Sequence, residues 1–124
     1  MKTVLLTDDN EDIIELVQLI LAKSGYNLKV AHGGKDALKI CAETPPPDLV
    51  LMDLRMPDMD GFSVTKTLRD NGFKNPIIVL TGSESAEDKK RAYTAGCDDY
   101  IIKTMEMRDL EHTIDRFLQK GGGL

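Results

Sequence analysis

The sequence predicts an α/β fold: a doubly wound (βα)5 sheet of five parallel strands with helices on both faces. Three observations predict it. Short β-like runs alternate five times with stretches of helical periodicity, and each helix must return the chain for a strand running the same way. Two of the runs, LVLM at 49–52 and IIVL at 77–80, are apolar at consecutive positions, as expected of central strands covered on both sides. A third run, YNLKVA at 26–31, alternates apolar and polar residues, as expected of a strand nearer an edge.

The elements follow in order. KTVLLT at 2–7 is the first strand. Ile13, Ile14, Leu16, Val17, Ile20 and Leu21 then build one apolar helix stripe, closed by Gly25. After YNLKVA, a segment from Lys35 to Glu43 places Ala37, Leu38, Cys41 and Ala42 on a shared helix face. Pro45–Pro47 cannot continue a helix and deliver the chain into LVLMD. The loop LRMPDMD and a helix over Gly61 to Asn71 come next. Pro76 opens PIIVLT, and Ser85 followed by Asp88 has capping-box spacing for a helix reaching Ala95. YIIK is the fifth strand, and Leu110, Ile114, Phe117 and Leu118 mark the core side of a last helix. GGGL reads as a flexible tail or the start of a linker, giving one domain over 1–120 and a tail over 121–124.

Composition limits the function classes. A chain of 124 residues, 41% hydrophobic and 30% charged, has the size and balance of one globular domain with a continuous core. Its net charge of −5 argues against a nucleic-acid surface, which needs clustered lysine and arginine to neutralise phosphates. Cys41 and Cys97 stand far apart, without metal-ligand or redox spacing, and read as two reduced thiols. The N-terminus turns acidic too soon for a signal peptide, and no apolar run approaches the ~20 residues of a membrane helix. The expected location is the cytoplasm, with no membrane partner.

The chemistry lies where strands end. Asp8 and Asp9 close the first, Asp53 the third, Thr81 the fourth and Lys103 the fifth, so all five converge at one sheet edge. Open α/β sheets bind ligands there, where strand order reverses. Taken singly, an aspartate after a strand is more often a helix cap or turn residue than a ligand; five suitable groups at four strand ends form a set. Three neighbouring carboxylates repel, and a bound divalent ion removes the conflict. An all-oxygen site with room for water and phosphate oxygens matches Mg²⁺. Zinc is disfavoured, because His32 and His112 are not placed with the cysteines. Lys103 offers a point charge and Thr81 a small donor, both suited to a phosphoryl group. A carboxylate can attack phosphorus directly to give an acyl phosphate.

On these motifs (LLTDDN, LVLMDLRMPDMDG with Pro57 and Gly61, IIVLTG and DDYIIK) the chain resembles the receiver domain of bacterial two-component response regulators, similar to the single-domain chemotaxis type, over residues 2–119. The resemblance implies the flavodoxin-like strand order 2-1-3-4-5 and a phosphoryl group accepted by Asp53 from a sensor histidine kinase or histidine phosphotransfer protein. It implies Mg²⁺ held by Asp8, Asp9, Asp53 and the backbone carbonyl of Arg55, with Thr81 and Lys103 on the phosphoryl oxygens. Tyr100 matches the aromatic switch position, whose ring turns inward as Thr81 moves towards the phosphate; on its own residues, Tyr100 reads as a half-buried strand aromatic. A downstream protein target or fused output domain would sense the change on a surface near Lys89, Lys90, Arg91, Tyr100 and Arg108, and a phosphorylation-linked homodimer through the last helix is compatible. A solvated face explains the KKR run equally well.

Two positions depart from the family pattern. Thr104 stands where proline usually follows the lysine, and a non-proline cis bond costs about 3 kcal/mol, so the 103–104 peptide is expected to be trans. Arg55, two residues beyond Asp53, is expected to shield the phosphate or to pair with Glu84 across the cleft. A haloacid dehalogenase-type phosphatase would need an aspartate at the Arg55 position, and a flavin carrier would be repelled by Asp8 and Asp9. The remaining alternative is a receiver-like module that binds partners without phosphotransfer. Neither reading makes the chain an enzyme beyond self-catalysed phosphotransfer and autodephosphorylation. A stand-alone regulator and a fragment of a longer chain both fit.

Overall fold

The computed structural model describes residues 1–103 and 107–119. The tail expected at 121–124 and the Lys103–Thr104 peptide lie outside the described residues.

Five parallel strands form one sheet: β1 (Thr3–Thr7), β2 (Asn27–Ala31), β3 (Leu49–Met52), β4 (Ile77–Thr81) and β5 (Asp99–Ile102), in the order β2-β1-β3-β4-β5. The helices between them are α1 (Glu11–Leu21), α2 (Gly34–Cys41), α3 (Gly61–Asp70) and α4 (Ala86–Ala95); a 3-10 turn at Met107–Asp109 leads into α5 (Leu110–Gln119).

The period-2 alternation of the strands divides the core into two layers. Val4, Leu6, Leu49, Leu51, Ile78, Leu80 and Ile101 face α1 and α5, where Ile14, Val17, Leu110 and Ile114 meet them. Leu5, Val50, Met52, Ile77, Val79 and Tyr100 face the other way, onto Ala37 of α2, Phe62 and Leu68 of α3 and Ala92 of α4. β3 and β4 are buried at every position and β2 alternates, as expected of central and edge strands.

Two apolar assignments fail locally. Leu16, placed in the α1 stripe, is 37% exposed, because the buried line runs through Ile14, Val17 and Leu21 and position 16 turns past its margin. Ala42 is exposed as the C-cap of α2, which ends at Cys41, short of the expected Glu43. Both cysteines are free and buried, and burial pushes the Cys41 thiol up to about 11 and that of Cys97 up to about 12. Arg91 leaves the exposed KKR run to stack over the Phe62 ring, 4.1 Å from its centroid.

Register decides where the polar strand ends fall. Thr7 pairs with Met52, so the next residues, Asp8 and Asp53, emerge side by side. Thr81 pairs with Ile102, so Lys103 emerges beside the end of β4. Backbone bonds carry the alignment one step past the strands: Asp8 N donates to Ala31 O at 3.0 Å, Asp53 N to Thr7 O at 3.0 Å and Lys103 N to Thr81 O at 2.7 Å.

Candidate functional site

Asp8, Asp9, Asp53, Thr81 and Lys103, the five residues assigned from strand ends, line one open cleft together with Arg55. Its volume is about 470 Å³. Asp8 is fully buried and Asp53 is 6% exposed, while Asp9 is exposed at the rim. Two buried carboxylates at adjoining strand ends are costly unless a cation joins them. Lys103 does so: its Nζ lies 2.8 Å from Asp8 Oδ2 and 3.3 Å from Asp53 Oδ1.

One ammonium does not complete the coordination of two carboxylates. Asp8 Oδ1 accepts from Asn10 N at 2.9 Å, but Asp8 Oδ2, despite the nearby Nζ, lacks an aligned hydrogen-bond donor among the described residues. Burial raises the Asp53 carboxyl above its ordinary pKa, and the Asp8 carboxylate adds to that, against the opposing pull of Lys103 and of the Arg55 backbone N–H. Asp8, Asp9 and Asp53 each offer an oxygen, and these oxygens lie within 4.8 Å of one another. An under-coordinated buried oxygen beside two further carboxylates suits a hard divalent cation that keeps some of its waters.

The loop from Leu54 to Asp60 is held on both sides. Gly61 N donates to Leu54 O at 3.0 Å, which brings the start of α3 against the backbone of Asp53. A Cβ on Gly61 would stand 2.1 Å from Asp53 O, so only glycine fits. Asp60 caps α3 by accepting from Ser63 N at 2.8 Å. Asp58 reaches to another helix: its two oxygens accept from Gly34 N and Lys35 N, both at 3.0 Å, and so cap α2, whose own N-cap Gly33 has no side chain to do it. These two N–H groups hold the Asp58 carboxyl below its ordinary pKa.

The far wall is the loop between β4 and α4. Thr81 Oγ1 accepts from Ser83 N at 3.2 Å, which leaves the hydroxyl proton for a further acceptor. Tyr100 is 6% exposed, more buried than the half-buried strand aromatic its residues suggest, and its hydroxyl donates to Ser83 O at 3.1 Å. Arg55 pairs with Asp88, Nη2 to Oδ2 at 2.9 Å, and not with Glu84 as expected. Asp88 sits in the first turn of α4 and faces the cleft loop, which gives it the better position. Ser83 and Asp88 are the residues that strand-end reasoning missed. Asp88 carried a signal, its capping-box spacing, but that signal assigned its carboxylate to the helix.

The match to known proteins agrees with this geometry. Residues 4–115 match the family model described as the response regulator receiver domain. The alkaline phosphatase synthesis transcriptional regulatory protein PhoP of Bacillus subtilis is 37% identical over 119 residues, covering 96% of this chain and 49% of that protein. The chain therefore spans about half the length of PhoP. Among solved structures, the receiver domain of Francisella response regulator 1452 superposes with a TM-score of 0.88 at 29% identity, covering 98% of this chain and 99% of that one. Response regulator protein TrrA of Thermotoga maritima, in complex with Mg²⁺ and BeF, superposes with a TM-score of 0.84 at 30% identity, covering 95% of this chain and all (100%) of that one. With the 2-1-3-4-5 sheet and a family match across nearly its whole length, the chain belongs to the receiver domains of two-component response regulators.

Proposed function

We propose that this receiver takes a phosphoryl group from a phosphohistidine donor onto an Asp53 carboxylate oxygen and changes conformation to control a partner. The observation that carries the reading is the joint contact of Lys103 Nζ with Asp8 and Asp53, which places a cation between two buried carboxylates in a cleft that Thr81 also lines. In the proposed step the Asp53 oxygen forms a bond to phosphorus as the donor's P–N bond breaks, and the histidine leaves with that electron pair. Lys103 shifts from the carboxylates to a phosphoryl oxygen, and the Thr81 hydroxyl donates to another. Asp8, Asp9, Asp53 and the Arg55 carbonyl would hold Mg²⁺, which would supply charge neutralisation for the transferring group.

The same site would lose the phosphoryl group to water without a separate enzyme, and Arg55 would set the lifetime by limiting water access. The proposed donor is a sensor histidine kinase or a histidine phosphotransfer protein. The output is a downstream protein or a fused domain, with a homodimer through α5 as a further form. Among the described residues no helix is long and apolar enough to cross a membrane, and we place the protein in the cytoplasm. A second reading, a binding module independent of phosphorylation, is favoured by one observation: Tyr100 already points inward and is bonded to Ser83 O. Transfer from a phosphorylated histidine phosphotransfer protein separates the two. Label should move to the wild type and not to Asp53→Asn; no transfer to either would leave the second reading.

A further inference from the structure

The capping box expected from Ser85 and Asp88 is only half formed. Asp88 N donates to Ser85 Oγ at 3.2 Å, which is the forward half. In the return half the acid would accept from the Ser85 backbone N–H; instead that N–H donates to Ser83 Oγ at 3.2 Å. The Asp88 carboxylate is turned out of its helix, accepting on Oδ2 from Ser83 Oγ at 2.7 Å and from Arg55 Nη2 at 2.9 Å. Ser83 is in turn joined to both Thr81 and Tyr100, through its N–H to Thr81 Oγ1 and through its carbonyl to the Tyr100 hydroxyl. A continuous polar path therefore runs from Arg55, two residues past Asp53, to Tyr100.

We propose that Arg55 and Asp88 form a latch that holds the β4–α4 loop while Asp53 is unmodified, making Asp88 a positioning residue for the response. The inference rests on the reading that Asp53 carries the phosphoryl group. Asp88 and an aspartyl phosphate then compete for one guanidinium. The phosphoryl group, with close to two negative charges and a geometry that suits bidentate arginine contacts, outcompetes a single carboxylate. When Arg55 crosses to it, Asp88 and Ser83 lose their outer anchor and the loop is free to follow Thr81. The Arg55 side chain is 68% exposed and that of Asp88 16%; with the guanidinium in solvent, the pair shifts an equilibrium by about fivefold or less. That size suits a latch, because it biases the resting loop without barring the response. By linkage, a change that frees Arg55 from Asp88 strengthens binding of a phosphoryl mimic by the factor with which the latch opposes it.

The test is a double-mutant cycle of Asp88→Asn and Arg55→Ala, with beryllofluoride and Mg²⁺ as the probe. Asparagine keeps an acceptor for Ser83 and removes the charge that holds Arg55. Affinity is read by calorimetry, and hydrogen exchange at the Ser83 and Ser85 amides is read without the probe. Asp88→Asn should bind beryllofluoride about twofold to fivefold tighter, and that gain should vanish in the Arg55→Ala background. Either substitution should speed exchange at both amides. Glu87→Gln removes another acid from the first turn of α4 and should do neither, which separates the latch from a general helix-end effect. An equal gain with and without Arg55, or no gain, would overturn the latch. If the wild type binds no beryllofluoride, the phosphoacceptor reading fails, and exchange alone decides: unchanged exchange in both variants sinks the latch as well.

Discussion

Lys103 Nζ sits 2.8 Å from Asp8 Oδ2 and 3.3 Å from Asp53 Oδ1, so one ammonium bridges carboxylates delivered by two different strands. Its side chain is 14% exposed and those of the two aspartates no more than 8%. Removing the cation leaves two buried like charges facing each other. Lys103→Met should therefore lower stability by about 3 kcal/mol in metal-free urea denaturation at neutral pH. Adding Asp53→Asn should restore part of the loss, because it removes one of the charges.

Asp53→Asn alone should stabilise the metal-free protein, by on the order of 1 kcal/mol at neutral pH. Burial and the Asp8 carboxylate raise the Asp53 pKa in the folded state. A raised pKa means the folded protein holds this proton more tightly than the unfolded chain. The contribution is then fully present below the unfolded carboxyl value of about 4, and it is lost as pH rises through the folded value. The advantage of the variant should be absent near the acid end and grow towards neutrality. A variant less stable than the wild type at pH 7 would contradict this.

Gly61 packs directly on the backbone that carries Asp53, 2.1 Å from its oxygen to the position of a Cβ. The obstacle is main chain and cannot swing aside. Gly61→Ala should cost about 3 kcal/mol in the same denaturation measurement and displace the Asp53 amide resonance. A neutral substitution would mean that the loop relaxes freely.

Asp58 ties the loop after β3 to the first turn of α2 through Gly34 N and Lys35 N. Asp58→Ala should speed hydrogen exchange at these two amides while leaving the α3 amides unchanged. Because the folded-state pKa of Asp58 is lowered, its contribution is present above the unfolded carboxyl pKa and is lost as pH falls through the folded value. The exchange difference between variant and wild type should therefore narrow in acid.

Much of this was legible in the sequence, for a reason specific to parallel sheets. Runs such as IIVLT can be buried on both faces only in the middle of the sheet, and strands running the same way must place their last residues at one edge. That alone brings Asp8, Asp53, Thr81 and Lys103 together. Contacts set by tertiary distance were not legible. The α2 cap comes from Asp58, 24 residues beyond Gly34, and capping rules look only at neighbours. Arg55 was expected to shield the phosphate or to meet Glu84; its acidic partner is Asp88, because which acid faces the cleft depends on how α4 begins. Leu16 was misplaced for a simpler reason: an apolar residue at the margin of a stripe satisfies the spacing whether or not a neighbour covers it.

Covalent modification of Asp53 tests the central claim most directly. The protein is incubated with acetyl phosphate, with and without Mg²⁺, and its peptides are mapped by mass. One phosphoryl group should appear on the peptide containing Asp53, only with the divalent ion, and it should be absent from Asp53→Asn. Modification that ignores the metal, falls on another residue, or survives the asparagine substitution would contradict the claim.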